Sequence, residues 1–379
     1  MAQDSHTLAV ETPSNNPSYT RQEIFAQATL WPGTVQKVVT DVARLRLSDR
    51  LKGARVMLTG AGTSAYAAQA IAAAWPQATA MPTTDLLVDA KRLLAHVDIL
   101  ISLARSGDSP ESVAVVEVAR SLRPDLFQLA IVCNPNGALA QGCADQVIQL
   151  DPRTDDHSLV MTASFSNLVL AGLTLARPEE MLKNVDALST RTLALLPDLD
   201  QATAHAAHRV VDRMMVLSSS PLAGWRKEAA LKTLEMTAGK FSVLSESYLG
   251  LRHGPMVFVA PETLVFCLLS NDPFRRAYEL DLVEELREKK IGFLVGITNM
   301  EGAERFFDAV IPAIAPLMDD TLRTPFEIVA AQLLGYNVSL LAGFNPDNPS
   351  PDGIINRVVQ GVKIHPLDTE LSANAGHQA

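Results

Sequence analysis

Three cysteines in 379 residues, Cys133, Cys143 and Cys267, are too scattered and odd in number for a disulfide framework. None forms a C-x-x-C pair, so they read as buried, reduced thiols and not as zinc ligands. No basic cluster offsets the formal net charge of −10, which argues against nucleic acid or an anionic membrane as partner. No apolar run approaches membrane length, and no basic segment followed by an apolar one opens the chain. A cytoplasmic location is therefore expected. His205 and His208 share a helical spacing without an acidic or cysteine companion, so no metal is expected. What remains is ordinary for a globular enzyme, with 47% hydrophobic and 20% charged residues and a length suited to two domains.

Residues 1–19 are polar and rich in Pro, Asn and Ser. Thr20, with Glu23 three residues on, reads as a capping box opening a helix toward Trp31-Pro32. A second apolar face follows at Val35, Val38, Val39, Val42 and Leu45, and residues 1–45 form a tail and helical arm. From Ala54 onward strand and helix alternate, with strands at 55–59, 98–103 and 129–133. That alternation indicates an α/β fold with a parallel sheet covered on both faces. The pattern then repeats. Ser106 corresponds to Asn271 and Asn134 to Asn299 at an offset of 165, and the 214–217 strand mirrors the 58–62 region at 158. Two copies of one unit are expected, 46–200 and 201–350, with a tail at 351–379 lying over the site.

Binding sites in such sheets lie at the carboxyl ends of the strands. Two turns there carry chemistry: Gly60-Ala61-Gly62-Thr63-Ser64, and the run from Arg105 through Ser106 and Ser109 to Ser112. Each feeds a helix N-terminus and offers backbone N–H groups, hydroxyls and the positive end of a helix dipole, which suits a phosphate monoester. Read singly, such residues are helix caps; two hydroxyl-rich turns at one sheet end favour a ligand. Gly60-x-Gly62-x-x-Ala65 also matches a dinucleotide fingerprint, with Asp85 as the ribose-binding acid. The match is short, and Asp85 follows what reads as a loop.

In the second copy, 225–241 has helical spacing with Ala229, Leu231, Leu234, Met236 and Ala238 on its apolar face and Gly239 as its stop. Glu228, Lys232 and Glu235 place carboxylate, ammonium and carboxylate along the opposite face. His253 follows on a Gly-Pro turn. These are groups suited to proton transfer, although a solvated helix face and a surface turn would look the same.

The strings TGAGTSA (59–65), ARSGDSPES (104–112), EAALKTLE (228–235), RHGP (252–255) and NPDNPSPDGIINRVVQGVKIHP (345–366) together resemble the sugar isomerase (SIS) domain family. The end-to-end likeness, over roughly residues 20–366, is to its subgroup of tagatose-6-phosphate ketose/aldose isomerases and galactosamine-6-phosphate deaminase/isomerases. The resemblance implies two SIS units with parallel sheets flanked by helices. It implies that Thr63, Ser64, Ser106, Ser109 and Ser112, with Gly62 and Arg105, bind a sugar phosphate. Glu235 would be the base between C1 and C2, His253 would help open the ring, and Lys232 and Glu228 would support them. In the related glucosamine-6-phosphate synthase the matching histidine comes from the neighbouring subunit, which implies a homodimer or larger assembly here. No cofactor is implied. Ala104 and Arg105 stand where the synthase has serine and glutamine, which alters the phosphate cradle. No glutaminase domain is read in the chain, and the synthase's C-terminal lysine has no match, leaving Lys363 or His365 to cover the site. The implied reaction converts galactosamine 6-phosphate to tagatose 6-phosphate and ammonia. Plain isomerisation of a neutral hexose 6-phosphate is the alternative, and a non-catalytic sugar-phosphate sensor a further one.

Overall fold

The computed structural model describes residues 18–366; the polar tail up to residue 17 and residues 367–379 lie outside the described residues. The first sheet holds β1 (Val56–Gly60), β2 (Ala78–Pro82), β3 (Ile99–Ala104), β4 (Phe127–Val132) and β5 (Gln146–Gln149), in the order β2-β1-β3-β4-β5. The second holds β6 (Arg213–Leu217), β7 (Ser242–Glu246), β8 (Leu264–Leu268), β9 (Phe293–Ile297) and β10 (Ala309–Ile311), in the order β7-β6-β8-β9-β10. All pairings are parallel. Strands β1, β3, β4 and β8 are buried along their whole length, as continuous apolar runs covered by helices on both faces must be.

Register confirms the repeat. Val56 pairs with Ile99 and Met214 with Leu264, so the copies are offset by 158 (214 − 56) and 165 (264 − 99). In the next strand Phe127 and Phe293 take equivalent places, an offset of 166 (293 − 127), one more than the sequence match gives.

The arm differs from its sequence reading. A single helix, Tyr19–Arg44, runs through Pro32. Proline removes the N–H that would bond the Ala28 carbonyl, and Ser189 Oγ donates to that oxygen instead, at 2.7 Å. The capping box expected at Thr20 and Glu23 does not form. Ser18 is the N-cap residue, and Asp347 accepts from Ser18, Tyr19 and Thr20. Glu23 turns to a distant loop and accepts from the His157 and Ser158 amides.

The arm helix packs on the helices Ala163–Ala176 and Pro178–Ala207, and the latter runs through the unit boundary expected at 200. One apolar core joins Trp31 of the arm, Leu58 of the first sheet and Val216 of the second. The helices Thr63–Ala73 and Ala223–Met236 meet across it so closely that a Cβ on Gly224 would stand 2.6 Å from the Tyr66 carbonyl oxygen. That contact brings the two copies to one site.

Candidate active site

The first turn is built by glycine. Gly62 has φ +54° and ψ −126°, a conformation that side chains resist, and it is the residue from which the Thr63–Ala73 helix starts. A Cβ on Gly60 would stand 2.6 Å from that of Ser64. Neither Gly62 nor Ser109 caps its helix with a side-chain hydrogen bond, and residues of both N-terminal turns line the same cavity. Ser109 Oγ donates to Glu111 Oε2 at 2.7 Å, and Ser106 Oγ accepts from the Asp108 amide at 3.3 Å.

Opposite these turns stands the Ala223–Met236 helix, and its charged face is buried. The side chains of Glu228 and Lys232 are 0% exposed and that of Glu235 is 25% exposed. Lys232 Nζ reaches Glu235 Oε2 at 2.8 Å, Glu228 Oε1 at 3.1 Å, Thr63 Oγ1 at 3.1 Å and the Met161 carbonyl at 3.1 Å. The Thr63 hydroxyl donates onward to Glu228 Oε1 at 3.3 Å, which ties the first copy's turn to the second copy's helix. Burial pushes the Glu228 carboxyl up to about 7, against the pull of Lys232. Burial alone would lower the Lys232 ammonium, but its two carboxylates outweigh that and raise it. The apolar face differs from the sequence reading: Leu234 is exposed, the helix ends at Met236, and Ala238 lies beyond it with φ +49°. Gly239 closes the end by donating to the Leu234 carbonyl at 2.9 Å.

The two sides enclose a cavity of about 190 Å³. Gly62, Thr63 and Ser64 line it on one side, and Arg105, Ser106, Ser109 and Ser112 on another. Glu235 alone among the four expected catalytic residues reaches it; Glu228 and Lys232 lie behind. Leu159, Met161 and the C-terminal strap, Ile355 to Val359, complete the wall. Lys363 and His365, which the sequence offered as covering groups, are exposed and do not line it. His253 is exposed on its turn and is likewise absent from the lining. Arg105 borders the cavity but spends its N–H groups elsewhere: Nη1 donates to the Ser158 and Leu159 carbonyls at 3.2 and 2.9 Å, and Nη2 to that of Arg357 at 2.9 Å.

Sequence reasoning missed the strap contact of Arg357, the Met161 carbonyl and the loop that carries it. Arg357 stands in the NRVVQGV string, but no local pattern reveals a partner two hundred residues away.

The equivalent loops of the second copy are filled from within. Ser219 donates to Glu279, the Ser270 amide donates to Glu279 Oε2 at 2.7 Å, and the Asn271 amide donates to Asp320 Oδ1 at 2.9 Å. Two internal carboxylates thus take the donors that the first copy leaves open, and burial pushes Glu279 up to about 7. Among the described residues no three His, Cys, Asp or Glu side chains gather to hold a metal, and no helix is long and apolar enough to cross a membrane. Asp85, the acid of the dinucleotide reading, is exposed on the short helix Thr83–Val88 and does not line the cavity.

No family model matches the chain. It is 34% identical to an Escherichia coli D-galactosamine-6-phosphate deaminase AgaS, over 92% of this chain and 96% of that one. It is 36% identical to the protein of the same name from Shewanella sp. (strain ANA-3), over 83% and 82% of the two chains. The tagatose-6-phosphate ketose/aldose isomerase from Escherichia coli superposes with a TM-score of 0.83 at 31% identity, covering 94% of this chain and 99% of that one. With two parallel five-stranded units and full-length likeness at this level, the chain belongs to the AgaS subgroup of the SIS-domain sugar isomerases.

Proposed function

We propose that this enzyme converts galactosamine 6-phosphate to tagatose 6-phosphate and ammonia. Two of the relatives are named as D-galactosamine-6-phosphate deaminases, which supports the deamination. The observation that carries the proposal here is the Lys232 cluster, whose one charged member lining the cavity is a carboxylate, Glu235, opposite two uncapped helix N-termini. The phosphate sits at Thr63–Ser64 and Ser106–Ser109, where backbone N–H groups and helix dipoles favour an anion. Anchored there, the open-chain sugar presents C1 and C2 to Glu235.

Glu235 takes the proton from C2 as the C1 carbonyl oxygen gains one, then returns a proton to C1. The product is a C2 imine. Water adds to C2 and ammonia leaves, giving the ketose phosphate. Lys232 holds Glu235 in place, and Glu228 with Thr63 holds Lys232. His253, exposed in its own subunit, enters the cavity of a partner and assists ring opening, which makes the working unit a homodimer or larger.

The test is incubation with galactosamine, glucosamine and galactose 6-phosphates while ammonia and ketose are followed separately. Equimolar ammonia and tagatose 6-phosphate from galactosamine 6-phosphate are expected. A preference in kcat/KM for galactose 6-phosphate, with no ammonia from either amino sugar, would make the chain a plain isomerase.

A further inference from the structure

Arg105 stands beside Ser106 in the phosphate loop, where an arginine would be taken for a phosphate ligand. Its guanidinium is enclosed and committed to three backbone carbonyls in two different segments. The planar fork reaches the two segments from two separate nitrogens, whereas a lysine ammonium would have to reach both from a single point. The first segment, 155–162, is held from every side. Glu23 of the arm helix accepts from its His157 and Ser158 amides, and Asp156 accepts from the Thr162, Ala163 and Ser164 amides at 2.8, 2.9 and 3.0 Å. Its Met161 carbonyl receives Lys232 Nζ. The second segment is the strap, and the bond is reciprocal. Arg105 holds the Arg357 carbonyl, while Arg357 Nε donates to the Asp156 carbonyl at 3.0 Å and its Nη2 pairs with Asp155.

We propose that Arg105 is a positioning residue, not a phosphate ligand: with Arg357 it clasps the strap to the 155–162 segment and so fixes both the cavity wall and the carbonyl that seats Lys232. The phosphate loop, the strap and Lys232 are thereby joined through one stretch of backbone. The kinetic part of this inference rests on the proposed deamination; the structural part does not.

The test compares Arg105→Lys, Arg357→Met and the double variant as full-length proteins. Three readouts are taken: galactosamine 6-phosphate kinetics, binding of inorganic phosphate, and amide hydrogen exchange across 355–359. Each single variant is expected to lose at least tenfold in kcat. The double variant should fall within threefold of the worse single one, because both remove the same clasp. Inorganic phosphate should bind all three within threefold of wild type, and exchange across 355–359 should quicken in each. Phosphate binding weakened tenfold or more by Arg105→Lys alone would make Arg105 a ligand and overturn the proposal. So would losses that multiply in the double variant, or strap exchange unchanged by either substitution. Arg357 lies on the exposed strap, so Arg357→Met still decides the matter through exchange if Arg105→Lys fails to fold. An enzyme inactive on every amino-sugar phosphate would refute the proposed function, while exchange and phosphate binding would still judge the clasp.

Discussion

Replacing Lys232 with Met removes the ammonium that binds Glu228, Glu235, Thr63 and the Met161 carbonyl into one cluster. Methionine has a similar straight-chain volume, so the cavity left behind is small. At an effective dielectric constant of about 20, unit charges roughly 3 Å apart attract by about 5 kcal/mol. Desolvation of the ammonium offsets part of that, and removing one partner of a buried pair costs about 3–5 kcal/mol because the other charge remains. Glu228 moderates the loss. Its carboxyl already stands at about 7 beside Lys232; without the ammonium it rises further and stays protonated over a wider range. A carboxyl raised in the folded state contributes stability that is present in acid and lost as pH rises through its folded value. The variant should therefore lose little at pH 5 and about 3–5 kcal/mol at pH 8. Urea unfolding at the two pH values measures this through the midpoint at constant m. Equal losses at both, or less than about 1 kcal/mol at pH 8, would refute the clamp.

Glu279→Gln keeps the shape of the filled second site and removes a carboxyl raised from 4.5 to about 7. Wild type should lose about 3 kcal/mol from this group between pH 4.5 and 8, and the variant's stability–pH slope should be shallower by that amount in urea titrations. Gly62→Ala forces a side chain into φ +54° and should cost about 1–3 kcal/mol of stability; calorimetry and phosphate-binding isotherms read both effects. Mixed dimers of inactive Glu235→Gln and His253→Ala chains should recover activity if His253 acts across the interface. Their complete inactivity would place His253 in its own subunit's chemistry.

The alternation of apolar runs and polar turns made the central strands legible, because a parallel strand covered on both faces is largely apolar; the partly exposed edge strands β2, β5, β7 and β10 lack that signal and went unread. The 158 and 165 offsets carried the pairing of copies for the same reason: equivalent strands lie in equivalent registers. The arm was harder. Pro32 reads locally as a stop, but Ser189, 161 residues beyond Ala28, bonds the Ala28 carbonyl that the proline leaves without its donor. Glu23 read as a cap because its local spacing fits one, yet a loop across the fold claims its carboxylate. The catalytic helix shows the same limit. Its charged stripe looks solvated in sequence, and its burial comes from the helices Thr63–Ala73 and Thr324–Leu341 packed against it. The turns at 60–64 and 105–112 were legible as hydroxyl-rich turns at one sheet end, and both line the cavity, but nothing near Arg105 revealed the carbonyls that claim its guanidinium.

The central claim is that Glu235 moves the C2 proton of a sugar whose phosphate lies across the cavity. Its most direct test follows exchange of the substrate's C2 proton in heavy water, for wild type and Glu235→Gln, beside binding of inorganic phosphate. Positioned general bases contribute about 10²–10⁴-fold, so Glu235→Gln should lose exchange by at least 10² and bind phosphate within threefold of wild type. Exchange retained at near the wild-type rate would contradict the account and pass the role of base to another residue.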